Sequence, residues 1–299
     1  LHSQYGGVYP EVASRRHIEV IHAVVDEAMR TSHTGYGDLD CIAVTMGPGL
    51  VGSLLVGLNM AKGLALSRNK PLLGVNHIEG HIYSVWLTES ADLIRFPVLT
   101  LVVSGGHTEL YLMTDHGKYQ YLGGTLDDAA GEAFDKVGRL LGLPFPGGPS
   151  IDRAAESGNL NAFRFPRAVM EAEYGHNFSF SGLKTAVMRQ VGQYHAPNPV
   201  PVNDLAASFQ EAVVDMLVTK TVQAANEHNV RAVHVVGGVS ANSRLRQSMR
   251  SQLEVPVRVP PLELCTDNAA MIGAAAHWRW LVGERSTLDL DVTPSLQLV

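Results

Sequence analysis

Apolar and polar positions along the chain fall into short apolar runs separated by segments with helical spacing. That alternation predicts α/β layers whose strands are largely buried. Residues 10–30 read as a helix, with Val20, Ile21, Val24, Val25 and Met29 on one face. Residues 40–46 read as a strand, followed by Gly47-Pro48-Gly49 and a helix to about residue 66. Residues 71–75 predict a short strand leading into a second helix near His77. Over 97–114 two apolar strands flank Ser104-Gly105-Gly106-His107, the pattern of a tight hairpin, and a third strand is expected near 119–122. The spacing then turns helical over 129–141, 150–155, 181–194 and 204–228. A strand at 232–236, the pair Gly237-Gly238 and a helix from about Ser240 form a strand–loop–helix unit. Thr266 is the expected N-cap of a last helix through Trp280. Turn-formers concentrate at 142–149 and 194–201. The lobe boundary is placed just before Pro97: 1–96 with a C-terminal helical stretch at about 267–299 as one lobe, 97–266 as the other.

Composition narrows the classes. The chain has 299 residues, 45% of them hydrophobic, enough for one large core or two smaller ones. The formal net charge of -6 provides no domain-wide positive field, so any nucleic-acid binding must use local basic groups or partner proteins. Two cysteines, Cys41 and Cys265, lie far apart without a framework spacing, which argues against a disulfide-stapled secreted domain and for a reducing cytoplasm. No apolar run reaches membrane-spanning length and no basic-then-apolar leader opens the chain, so no membrane association is expected. The chain opens on Leu1 rather than Met, and its natural beginning is expected upstream.

The sharpest chemical signal is His77-Ile78-Glu79-Gly80-His81. Histidines four apart on a helix stand about 40° from each other, so both imidazoles can reach one metal ion. Zinc proteases place a glutamate directly after the first histidine; here Glu79 stands two positions on, about 180° from the pair, and cannot serve as base for a water on that metal. The same spacing also suits two core or surface histidines. Asp267 is the candidate third ligand; alone it would be a first-turn residue favoured by the helix dipole. Two imidazoles and a carboxylate suit iron(II) or zinc and leave positions open for substrate.

Weaker signals accompany it. Gly47-Pro48-Gly49-Leu50-Val51-Gly52 has the dinucleotide-fingerprint spacing, but residues 68–76 lack the expected acidic partner, which favours a close-packing turn. Ser181-Gly182-Leu183-Lys184 has the serine–lysine spacing of penicillin-recognising enzymes without their Lys-Thr-Gly; Lys184 either meets phosphate or is simply exposed. The glycine pairs in Ser104-Gly105-Gly106-His107-Thr108 and Gly237-Gly238-Val239-Ser240-Ala241-Asn242 let backbone N–H groups approach an anion, although ordinary turns look the same. Asp128, Glu132 and Asp135 are expected on one helical face beside Asp127, as ribose acceptors or a solvated face, with Gly148 and Asp152 nearby in Gly147-Gly148-Pro149 and beyond.

In this order the motifs resemble the TsaD family, also called Gcp, of tRNA N6-adenosine threonylcarbamoyltransferases. The resemblance runs from YGGVYPEVASRRH (5–17) to CTDNAAMIG (265–273), through GPGLVGSLLVG, NHIEGH, LVVSGGHTEL, DDAAGEAFDK, FPGGPSID, FSFSGLKT and GGVSAN. It implies a two-lobed, actin-like ATPase fold with nucleotide bound between the lobes, and a metal held by His77, His81 and Asp267, iron(II) ahead of zinc. Substrate contacts are implied for Ser104, Gly105, Gly106, His107, Thr108, Asp135, Gly148, Asp152 and Asn242. The implied reaction is attack by N6 of adenosine 37, in tRNAs reading codons that start with A, on the carbonyl of threonylcarbamoyl-AMP, releasing AMP. The YGGVYPE form is similar to the bacterial or organellar branch, which implies TsaB-like and TsaE-like partners or a homodimer, respectively. Family members begin with a strand–turn–strand carrying a GIETSCDDT-like stretch, expected to precede Leu1. The competing classes are a metalloprotease, disfavoured by Glu79; a non-catalytic scaffold like the TsaB paralogue type, disfavoured by the paired histidines; and a phosphotransferase on the same fold.

Overall fold

The computed structural model describes residues 9–88, 93–168, 170–194 and 199–299. The start of the YGGVYPE motif and the middle of the turn-rich segment at 194–201 lie outside the described residues. The chain forms two compact units, Val8–Leu87 with Asn268–Val299, and Thr88–Asp267.

In the first unit, α1 (Pro10–Ser32) starts on a proline whose fixed φ suits the first helical position, and it ends where His33 turns left-handed at φ 53°. Its buried stripe is narrow because the helix packs mainly on one neighbour. Ala13 is buried and Val20, Ile21, Val25 and Met29 are half-buried, whereas Val24, expected on the same face, is 60% exposed. Strand β1 (Ile42–Gly47), helix α2 (Val51–Arg68) and strand β2 (Leu72–Asn76) form a parallel β–α–β unit over a core of Val44, Leu58, Ala61, Ala65 and Leu72. The C-terminal segment returns to this sheet: Thr293 N–H donates to the Met46 carbonyl and Gly49 N–H to the Pro294 carbonyl. A Cβ on Gly47 would stand 2.0 Å from the Thr293 carbonyl oxygen, and one on Gly52 2.2 Å from Ser14 Oγ of α1. The fingerprint-like glycines are therefore positions of close packing by the protein itself. Helix α3 (His77–Tyr83) follows β2 directly.

The second unit is built on strands β3 (Val98–Val103), β4 (Thr108–Asp115) and β5 (Lys118–Gly124), an antiparallel meander. Helices α4 (Ala130–Leu140), α5 (Gly147–Ala155), α6 (Ser181–Val191) and α7 (Val202–Glu227) follow. Strand β6 (Ala232–Val236) then pairs parallel with β3, and after α8 (Ser243–Gln252) the short β7 (Val257–Arg258) pairs parallel with β6. The sheet order is β5-β4-β3-β6-β7. Every residue of β3 and β6 is buried, as a strand covered on both faces requires. Leu99, Leu101, Phe134, Val137, Phe209, Val213 and Leu217 belong to the core beneath.

Two expectations are corrected and one element is added. The segment after β6 is a 3-10 turn, Gly238–Ala241, and α8 starts only at Ser243, because the Asn242 side chain takes the cap by accepting from Leu245 N–H. A short helix, α9 (Leu262–Cys265), to which the sequence pattern assigned no element, precedes the last helix, α10 (Ala269–Leu281). The cap of α10 is Asn268, not Thr266: its Oδ1 accepts from Met271 N–H at 2.9 Å, while Thr266 closes α9.

Candidate metal centre and strand-end glycine site

The histidine pair sits on α3 because Asn76 starts that helix at the end of β2. Buried Asn76 Oδ1 accepts from Ile78 N–H at 2.8 Å and its Nδ2 donates to the Gln297 carbonyl at 3.2 Å. One turn separates the two rings, whose centroids are 4.7 Å apart with planes at 77°. Helix α3 packs closely on α10 because Gly80 has no side chain: a Cβ there would stand 2.7 Å from Ile272 Cδ1. Asp267 immediately precedes the Asn268 cap of α10, so that cap sets where its carboxylate starts. One donor atom from each of His77, His81 and Asp267 lies within 4.8 Å of the others, His81 buried and Asp267 exposed. Around one zinc-class cation such donors would each stand about 2.0–2.2 Å from the metal. Two imidazoles and a carboxylate fit iron(II) or zinc by donor chemistry.

Glu79 has a different task. Its side chain is 2% exposed and pairs with Arg279 Nε of α10 at 2.5 Å, while Arg279 Nη1 also meets Glu284 at 2.7 Å. This carboxylate ties α3 to α10 and is engaged by a guanidinium, as its angle from the histidines leads one to expect.

The expected substrate residues all lie in the unit Thr88–Asp267, in three groups. Because β3 and β6 run parallel, the loops that leave their C-terminal ends are neighbours. Gly237 adopts φ +91°, and a Cβ there would lie 2.5 Å from the Val103 carbonyl oxygen, so only glycine lets the second loop pass the first. Ser104–Thr108 forms the hairpin tip: Ser104 N–H donates to the His107 carbonyl at 2.8 Å, and His107 N–H to Ser104 Oγ at 3.2 Å. The start of α4 docks on it, Ala130 N–H donating to Thr108 Oγ1 at 2.9 Å and Gly131 N–H to the Ser104 carbonyl at 3.1 Å. The Cβ positions of Gly105 and Gly106 open onto empty space.

The second group joins α4 to α5. Asp135 Oδ1 accepts Gly147 N–H at 2.7 Å, next to Gly148. Burial raises the Asp135 carboxyl above the usual range, with that N–H opposing the shift. In the third group, Asp152 of α5 accepts from Asn242 Nδ2 at 3.2 Å, from Ser243 Oγ at 2.8 Å and from Ser243 N–H at 3.1 Å. Asn242 Nδ2 also donates to buried Gln210 of α7 at 2.7 Å. Gln210 and Asn76 were not singled out from the sequence. For Asn76 the signal was present, an asparagine directly before a helical stretch; for Gln210 nothing local distinguishes it within α7.

The acidic cluster separates into different jobs. Asp128 precedes α4 rather than lying on it, and with Glu132 it pairs with Lys136 at 2.7 and 3.0 Å. Asp127 caps α6, accepting from Phe180 N–H, Ser181 N–H and the Ser179 and Ser181 hydroxyls. Burial alone would raise its carboxyl; those donors outweigh it and hold the group below its ordinary value. No common face of Asp128, Glu132 and Asp135 exists, because α4 begins after Asp128 and Asp135 turns to Gly147. Lys184 is exposed on α6.

A mixed α/β unit with glycine turns at the C-terminal ends of adjacent parallel strands belongs to the class whose ligands bind at strand ends. Solved structures share this fold. HypF of T. kodakarensis superposes with a TM-score of 0.61 at 17% identity, covering 82% of this chain and 41% of that one. Component A of (R)-2-hydroxyglutaryl-CoA dehydratase from Acidaminococcus fermentans gives 0.50 at 17% identity, over 86% and 83%. The sequence model of the TsaD family, tRNA N6-adenosine threonylcarbamoyltransferase, matches residues 1–274. Proteins of that name from Dehalococcoides mccartyi and Bacillus subtilis are 51% and 52% identical, covering 100% and 99% of this chain and 89% and 86% of their own length. One from Thermomicrobium roseum is 53% identical over 100% of this chain and 88% of its own. The chain belongs to the TsaD family of transferases.

Proposed function

We propose that this chain transfers the threonylcarbamoyl group of threonylcarbamoyl-AMP to N6 of adenosine 37, in tRNAs reading codons that start with A. The N6 amine attacks the carbamoyl carbonyl carbon, the bond from that carbon to the phosphate oxygen breaks, AMP leaves, and the amine gives up one proton. The observation that carries the reading is the convergence of His77, His81 and Asp267 in a chain of this family. These residues would hold one divalent cation, iron(II) ahead of zinc, which when bound supplies Lewis acidity and orientation at the carbamoyl end.

The chain's own groups do the rest. N–H groups around the Ser104–Thr108 and Gly237–Gly238 turns, with Gly148, receive the phosphate of the adenylate and the charge that grows on it. Asp135, Asp152 and Asn242 hold the ribose and adenine. No side-chain nucleophile is required, since the attacking amine belongs to the tRNA. The sheet, with three antiparallel strands followed by two parallel ones, supports an actin-like ATPase fold. The bacterial relatives favour TsaB-like and TsaE-like partners, which would supply tRNA-binding surface to a chain of net charge -6; a homodimer is the organellar arrangement. No described helix is long and apolar enough to cross a membrane, and Cys41 and Cys265 are free thiols, which supports work in the cytoplasm.

The test supplies threonylcarbamoyl-AMP, tRNA transcript and the purified full-length protein with its partner proteins, and reads modified nucleoside by mass spectrometry. Threonylcarbamoyl-adenosine accumulating with equimolar AMP is expected. AMP release without modified nucleoside would refute the transfer.

A further inference from the structure

Away from every residue used above, His176, Glu227 and His228 each place one donor atom within 4.8 Å of the others. Glu227 is the last residue of α7 and His228 its C-cap, where the helix's terminal carbonyls carry partial negative charge that favours a cation. His176 arrives from the connection before α6 and is fixed there by its backbone. Gly175 is left-handed at φ +53°, and its carbonyl accepts from Lys220 Nζ of α7 at 2.5 Å. On the other side the His176 carbonyl lies against β5, where a Cβ on Gly123 would stand 2.7 Å from its oxygen. Backbone contacts on both sides thus hold the segment that carries the imidazole.

The side chains are placed in keeping with this. His176 is 10% exposed, its Nε2 stands 3.0 Å from Glu227 Oε2, and its Nδ1 is buried without a hydrogen-bond partner among the described residues. The two imidazole centroids are 6.4 Å apart. Gln223 Nε2 donates to Glu227 Oε1 at 2.9 Å, an outer contact of the kind that orients a ligating carboxylate. Lys220, the cation packed beside this segment, is committed to the Gly175 carbonyl.

We propose that His176, Glu227 and His228 form a second divalent-cation site of the zinc class, which staples the segment before α6 to the end of α7. Two imidazoles and one carboxylate select zinc or a similar borderline-soft ion over magnesium or calcium, and a water completes the fourth position. The site lies within one unit and does not depend on the function proposed above.

The experiment uses the full-length protein carrying His77→Ala and His81→Ala, so that the first site is silent. After equilibration with zinc and removal of excess, the bound metal is counted by mass spectrometry and the melting temperature is recorded. One equivalent of zinc and a raised Tm are expected, and magnesium is expected to give neither. Adding His176→Ala or His228→Ala should lower zinc affinity at least about 10-fold, the smaller effect known for mere outer-shell partners. Absence of zinc from the silenced protein, or zinc retained after His176→Ala, would overturn the site. Should the double variant fail to fold, the single variant His228→Ala decides. Bound zinc should then fall by one equivalent relative to the unaltered protein, and an unchanged count counts against the proposal.

Discussion

Glu79 and Arg279 form a pair that is 2% and 25% exposed at the side chains, inside the contact that carries the histidines. Breaking a buried pair by removing one partner costs about 3–5 kcal/mol, chiefly by stranding the other charge. Arg279→Met strands a carboxylate with almost no access to water, so it is expected to lower Tm more than Glu79→Gln, which strands a guanidinium that keeps Glu284 and some solvent. Negligible losses from both variants in thermal unfolding would show that the pair does not organise α3 against α10. The histidine spacing was readable because it is local. The Glu79 partner was not, since it lies 200 positions away and only the fold joins them.

His234 gives a second test at this scale. It sits wholly buried in the middle of β6, and burial, followed by the charge of Arg258, pushes its pKa down to about 3. The unfolded chain regains an ordinary value of about 6.5. Between those limits the unfolded state binds the proton and the folded state does not. Stability therefore falls as pH drops from about 6.5 towards 3, by up to about 1.4 kcal/mol per pH unit from this group. His234→Leu is expected to move the acid-unfolding midpoint to lower pH, and an unmoved midpoint would deny His234 that role.

Among elements, the start of α10 matters most. Asn268→Ala removes its cap at a cost of about 1 kcal/mol. It also frees the backbone that aims Asp267, so metal affinity should fall further than the stability change alone implies. Asn268→Asp or Asn268→Ser, which restore a capping oxygen, should recover both in calorimetric titration and melting. Loss of stability with unchanged metal affinity would separate the cap from the site. The sequence pattern placed α4 and α7 well because their helical stretches are long, and the hairpin and β6 well because their continuous apolar runs end at glycine pairs. It misplaced this cap because Thr266, Asp267 and Asn268 are all good N-cap residues, and only the approach of Met271 N–H decides among them. It passed over α9 and β7, whose four and two residues are too short to show a period.

At the level of the whole molecule, the glycines were weak signals in the sequence, since ordinary turns look the same, and the structure supplies their physical reason. Gly47, Gly80, Gly131, Gly147 and Gly237 each leave a Cβ position under 3 Å from another atom, so each is a place where two segments must nearly touch. The resemblance named Asp135, Gly148, Asp152 and Asn242 one by one, but the pairings of Asp135 with Gly147 and of Asp152 with Asn242 were not legible, because they join separate elements that only the fold brings together.

The transfer reading stands on His77, His81 and Asp267 acting together. The most direct measurement is the yield of threonylcarbamoyl-adenosine from full-length enzyme carrying His77→Ala, His81→Ala or Asp267→Ala, each beside its bound-metal content. Each change is predicted to remove the metal and cut modified nucleoside at least about 100-fold, a barrier rise of about 2.7 kcal/mol or more. Undiminished nucleoside from metal-depleted variants would contradict it.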